Sequence, residues 1–166
     1  MTRTERYRNM SSIELRLMLD ELYAEYAACL NDERFEAWPD MFADDCIYQI
    51  IPRENYERGL PLATWLSEGR GYLLDRVEAI RNTMMYAPRY MHRTVSGMRV
   101  LGWREDVLEV RASYLAVETL LDDSSRVFNC GQYFDKLVVQ GDQLKFKQKL
   151  CVFDSLVIPN SLIYPL

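Results

Sequence analysis

Apolar residues recur along the chain in two periods, and the change from one to the other divides it. From Ser11 onward Leu15, Met18, Leu19, Leu22, Tyr26, Cys29 and Leu30 repeat at helical spacing, and Ser11 stands ahead of Glu14 in the pattern of a capping box. This predicts a long amphipathic first helix. In FEAWPDMF, Trp38 and Phe42 share one face of a short helical turn with Pro39 near its start, and CIYQII then reads as a strand that Pro52 ends. LPLATWL predicts an extended stretch punctuated by Gly69 and Gly71. YLLDRVEAIRNTM returns to helical spacing, with Leu73, Val77, Ile80 and Met84 on one face.

Beyond Met91 the period becomes two. HRTVSGMRVLGW and VLEVRASYLAVETL are β-branched and alternating, and RVFNCGQYFDKLVV is joined to LKFKQKLCVFD by the turn residues Gln140, Gly141, Asp142 and Gln143. In the last strand Leu144, Phe146, Leu150 and Val152 alternate with Lys145, Lys147 and Lys149, which predicts a core face and a solvated lysine row. Helices first and an antiparallel meander afterwards give an α+β class, with a strongly curved, mostly antiparallel sheet wrapped around the first helix. With no repeats and no dividing linker, residues 1–166 read as a single domain. Residues 1–10 are expected to be a flexible arm and 156–166 an apolar tail.

That tail changes the picture. SLVIPNSLIYPL carries Leu156, Val157, Ile158, Leu162, Ile163, Tyr164 and Leu166, which would stand in water unless something covers them. Neighbouring subunits are the expected cover. Pro159 and Pro165 limit the freedom that docking has to remove.

Composition then excludes several classes. A net charge of -5 and a pI near 5.0 argue against a nucleic-acid backbone as ligand. No apolar run approaches a bilayer span and no apolar core follows Arg3, Arg6 and Arg8, so the expectation is a cytoplasmic protein. The four cysteines, Cys29, Cys46, Cys130 and Cys151, never form C-x-x-C and read as reduced, buried thiols. His92 is the single histidine. A two-histidine, one-carboxylate iron site, a Rieske cluster and the usual catalytic zinc all need more, so no metal is expected in this chain.

Nucleotide-binding and G-x-S-x-G hydrolase patterns are absent. What remains is an acid–base pocket assembled from His92, Asp154 and tyrosines such as Tyr48 and Tyr133 inside a cone-shaped sheet. Against it, His92 beside Arg93 at a strand start is more often a structural or interface residue. Asp75 and Arg76, set among Leu73, Leu74 and Val77, read as a hydrogen-bonded pair at a core edge or as a partner contact.

Taken together, Trp38, Phe42 and Asp45 before a tyrosine-bearing strand, LLDRVEAIR at 73–81, YMHRTVSGMRV at 90–100 and GQYFDKLVVQGDQLKFKQKLCVFDS at 131–155 resemble the small (β) subunit of bacterial aromatic-ring-hydroxylating dioxygenases. The resemblance covers nearly the whole chain, and VFDSLVIPNSLIYPL is most similar to small subunits of enzymes acting on aromatic carboxylates such as terephthalate or salicylate. It implies a cystatin-like (NTF2-like) roll shared with ketosteroid isomerase and scytalone dehydratase, and a non-catalytic assembly role. It also implies a large (α) subunit carrying the Rieske [2Fe–2S] cluster and mononuclear non-haem iron, NAD(P)H as electron source through a reductase, and an α3β3 hexamer. Gly97 stands where Asn is common in that family. On this reading Asp75, Arg76, Arg93, Leu162, Ile163, Tyr164 and Leu166 are interface candidates. The alternative is a free-standing isomerase or dehydratase of the same roll using His92, Asp154 and Tyr48.

Overall fold

Helix α1 (Arg3–Arg8) occupies the segment expected to be a flexible arm. In the computed structural model, which describes residues 2–159 and 161–166, Thr2 caps this helix by accepting from the Glu5 amide, and Tyr7 is buried with its hydroxyl donating to the Asp142 carbonyl at 2.7 Å. One buried ring and a capping box are what a helix this short needs to stay docked. Met1 and Asn160, both within spans singled out above, lie outside the described residues.

Helix α2 (Ser12–Asn31) begins at the expected box, with the Glu14 amide donating to the Ser11 hydroxyl at 3.2 Å and the Ser11 amide donating to the Glu14 carboxylate at 2.9 Å. Its buried stripe is Leu15, Leu19, Tyr23, Tyr26, Cys29 and Leu30, so Tyr23 joins the face while Met18 falls to its edge. A 3₁₀ turn at Trp38–Met41 leads into β1 (Phe42–Pro52), and its Trp38 ring packs edge-on against Phe42 and Tyr48. After α3 (Arg53–Glu57) and β2 (Trp65–Glu68), α4 (Arg70–Glu78) continues as a π turn through Thr83, burying Leu73, Val77 and Ile80 as the spacing predicts.

Four long strands complete the roll: β3 (Arg89–Arg104), β4 (Val107–Leu120), β5 (Arg126–Gln140) and β6 (Gln143–Phe153). The sheet order is β2-β1-β6-β5-β4-β3, antiparallel except for the parallel β1–β6 pair. Register shifts interrupt every strand pair from β3 to β6 and the β1–β6 pair as well. Such bulges bend a strand and increase its twist, which is how a sheet curls into a cone over α2. Gly97 lies at the first shift in β3 with φ +59°, a left-handed conformation. Glycine adopts it without the steric cost a Cβ would bring, so the bend is unstrained there.

The shift in β6 corrects the expected lysine row. Phe146 pairs with Leu137 but Gln148 with Lys136, leaving Lys147 as an extra residue, so the side chains beyond it exchange faces. Leu144 and Phe146 point into the cone, and after the bulge Lys149, Cys151 and Phe153 do the same. Leu150 and Val152, expected on the same face as Phe146, instead pack outside with Ile51, Ala63 and Phe134.

Candidate functional site

The interior of the cone is aromatic, and Lys149 sits in the middle of it. Its ammonium lies 3.5 Å from the Tyr133 ring centroid, 4.3 Å from Tyr26, 4.5 Å from Phe146 and 5.0 Å from Tyr23. It donates at 2.9 Å to Asp135, its cross-strand partner on β5, whose carboxylate also accepts from the Tyr23 hydroxyl at 2.5 Å. All three groups are buried. Burial pushes the Asp135 carboxyl above its usual range, against the pull of Lys149 and Tyr23, and raises the hydroxyls of Tyr23, Tyr26, Tyr48 and Tyr133 well above theirs. The ammonium is thereby held by one carboxylate and four ring faces.

Above this pair the cone is filled by the tail. The Leu166 main-chain oxygen accepts from the Tyr26 hydroxyl at 2.6 Å and from the Tyr48 hydroxyl at 3.2 Å, while the Leu166 amide donates to Tyr48 at 2.8 Å. Arg93 donates through Nε to the Pro165 carbonyl at 2.8 Å and through Nη1 to Asn31. Ile163, Tyr164 and Leu166 are buried in the chain's own domain, with Tyr164 on the Phe35 ring at 4.8 Å. The cover expected from neighbouring subunits is therefore supplied internally for these three, with Leu162 partly buried beside them. Folding back takes the side chains of Ile163, Tyr164 and Leu166 out of water, and the Tyr26 and Tyr48 hydroxyls satisfy the Leu166 main chain that enters with them. Leu156 and Val157, before the turn inward, remain 72% and 75% exposed.

The sequence-predicted residues do not converge. Tyr48 and Tyr133 face the cone. His92 is exposed on the outer face of β3, opposite Val117, because its neighbours Met91 and Arg93 point inward and alternate residues of a strand face opposite ways. Asp154 lies at the surface, paired with Arg53 at 2.6 Å. Arg93, an interface candidate by sequence, is 2% exposed and lines the tail's seat. Asp75 and Arg76 make no hydrogen-bonded pair: Asp75 is exposed, and Arg76 stacks over the Trp65 ring at 3.7 Å, a partner eleven positions away in sequence. Among the described residues, no three His, Cys, Asp or Glu side chains converge as a metal site would require.

Tyr23 and Asp135 carry no mark in the sequence as site residues, while Tyr26 reads there only as part of the helix stripe and Lys149 only as part of a solvated row. The signal available was the helical spacing of Leu19, Tyr23 and Tyr26 on α2, together with a lysine and an aspartate on adjoining strands. No helix is long and apolar enough to cross a membrane among the described residues.

Comparison with known proteins agrees with this geometry. A family model described as the ring hydroxylating beta subunit matches residues 25–160. The small subunit of anthranilate 1,2-dioxygenase from Burkholderia cepacia is 30% identical over 145 residues, which cover 87% of this chain and 90% of that subunit. The terminal oxygenase component subunit beta 2 of terephthalate 1,2-dioxygenase from Comamonas sp is 26% identical, covering 86% and 93% respectively. A crystal structure assigned as the beta subunit of an aromatic-ring-hydroxylating dioxygenase from Novosphingobium aromaticivorans superposes with a TM-score of 0.81 at 34% identity, over 90% of this chain and 95% of that one. The curled sheet, the helix it wraps and the match along most of the length lead to one conclusion: this chain belongs to the ring hydroxylating beta subunit family.

Proposed function

We propose that the chain is the non-catalytic assembly subunit of a multicomponent aromatic-ring-hydroxylating dioxygenase, and that the complex oxidises an aromatic carboxylate. The observation that carries the first part is the filled cone. An enzyme of this roll needs an open cavity with an acid–base pair facing it, whereas here the tail occupies the cone and His92 and Asp154 lie outside it. The second part rests on relatives whose names specify anthranilate and terephthalate, both aromatic carboxylates.

The large partner subunit would hold the Rieske [2Fe–2S] cluster and the mononuclear iron, with electrons reaching it from NAD(P)H through a reductase. The donor set of this chain does not fit either centre, having one histidine and no converging ligand group among the described residues. Self-association as the trimer of an α3β3 hexamer is part of the same reading. The outer sheet face supports it: Tyr90, Leu115 and Val127 are exposed there on neighbouring strands, and Leu115 pairs with Cys130. Asp75, exposed on α4, is a further candidate contact.

Co-expression with a large subunit and light scattering of the product test this. A stable complex that oxidises anthranilate, benzoate or terephthalate is expected, and Val127→Asp should weaken assembly while leaving the thermal midpoint of the isolated chain unchanged. Turnover of an isomerase or dehydratase substrate by the isolated chain would overturn it.

A further inference from the structure

Among the described residues, the buried charged side chains are paired, with the exception of Arg93. Lys149 has Asp135, and Arg89 and Glu118 meet at 2.7 Å with Arg126 completing the bridge. Arg93 has no carboxylate partner among the described residues, and its Nη2 makes no hydrogen bond although the side chain is almost wholly buried. The Tyr133 hydroxyl, also buried, has no partner either. An unpaired buried guanidinium is costly, and it sits here among hydroxyls that can all donate. Burial pulls the Arg93 guanidinium below its ordinary range.

The tail uses only part of this donor set. Its contacts in the seat are made to side chains, Tyr26, Tyr48 and Arg93, and not to a strand ladder, which is how a pocket holds a ligand. It is joined to β6 through an exposed stretch at Leu156 and Val157.

We propose that the cone contains a latent binding site for a small apolar carboxylate, which residues 161–166 fill as a built-in ligand and from which they detach without unfolding of the sheet. The Leu166 oxygen stands where one carboxylate oxygen would accept from Tyr26 and Tyr48, Arg93 supplies the countercharge, and the space of the Leu166 side chain takes the apolar group.

Hydrogen exchange of the unmodified chain reads the detachment. The Leu166 amide should exchange at least about 100-fold faster than amides of β6, a strand bonded on both sides, because local opening costs less than global unfolding. Equal rates would mean that the tail leaves only when the whole chain unfolds, and the proposal would fail. Benzoate is the probe for the site, titrated calorimetrically into a chain carrying Ile163→Asp to expel the tail. Saturable binding is expected, at least about tenfold tighter than to the unmodified chain and weakened about tenfold by adding Tyr26→Phe. A folded variant that takes up no benzoate overturns the proposal. If Ile163→Asp prevents folding, benzoate added to the unmodified chain should accelerate Leu166 exchange by displacing the tail, and unchanged exchange at saturating benzoate is equally fatal.

Discussion

On the inner face of β3 to β6, Lys149, Asp135 and the tyrosines are sealed from water and the tail closes the cone over them. On the outer face of the same strands, Tyr90 and Val127 stand 67% and 59% exposed, and the lone histidine beside them has no role in the interior. The two faces alternate residue by residue, so a one-residue step along β3 passes from His92 in solvent to Arg93 in the core. In this roll the interior is filled by buried charges, aromatic rings and the chain's own tail, and the exterior of the same strands carries exposed apolar side chains. An enzyme of the same architecture would need the reverse allocation, with reactive groups inside and an open mouth.

The strongest way to break this contrast is alkaline titration. Tyr23, Tyr26, Tyr48 and Tyr133 are held above the ordinary tyrosine range, in each case first by burial. A raised value means that the folded chain keeps a proton the unfolded chain releases. Their stabilisation is therefore complete below about pH 10 and lost as pH rises beyond it, at ~1.4 kcal/mol per pH unit for each group. Unfolding should be steep above that pH, with tyrosinate absorbance from these residues appearing together with the loss of circular dichroism. Ionisation of all four in a still-folded chain would show that the interior is not sealed.

Removing Lys149 comes next. Lys149→Ala leaves the Asp135 carboxylate buried without its cation and should cost about 3–5 kcal/mol in urea unfolding. Combining Lys149→Met with Asp135→Leu should recover most of the loss, since no charge is then stranded. Tyr48→Phe is milder: the ring still packs against Trp38 and Trp65, but the Leu166 amide loses its acceptor, for about 1–3 kcal/mol.

Thiol labelling contrasts the faces directly. Burial pushes the Cys46 thiol up to about 11 and the Cys151 thiol up to about 12, so neither offers thiolate near neutral pH, whereas Cys130 is only half-buried on the outer face. A maleimide should react first at Cys130, and docking of a partner on that face should slow it. The smallest effect is expected at His92. His92→Gln should change stability by no more than about 0.5 kcal/mol and leave ring oxidation by the reconstituted complex intact, while a loss of about 10² to 10⁴-fold would return an acid–base role to it.

Much of this fold is legible in the chain itself because its signals are local. The Ser11–Glu14 box, the stripe from Leu15 to Leu30, the Gln140–Gln143 turn and the period-two strands each depend on neighbours within a few positions, and each forms where those neighbours place it. The docking of α1 was not legible, because Tyr7 is anchored by Asp142 from the far end of the chain. Nor was the Arg76–Trp65 stack, since an aspartate adjacent in sequence was the more obvious partner.

The sequence by itself determined the class and the placing of the long first helix and the long strands, since composition and periodicity are properties of the chain alone. Which way β6 faces after Lys147, and what covers Leu166, were decided only by tertiary structure. One bulged residue reverses every side chain beyond it, turning a lysine read as solvated into the centre of the core. The tail's partner was likewise a matter of three-dimensional proximity. Tyr26, Tyr48 and Arg93 come from a helix and two non-adjacent strands, and only the curled sheet brings their donors together around one carbonyl pair, where burial makes each hydrogen bond worth keeping.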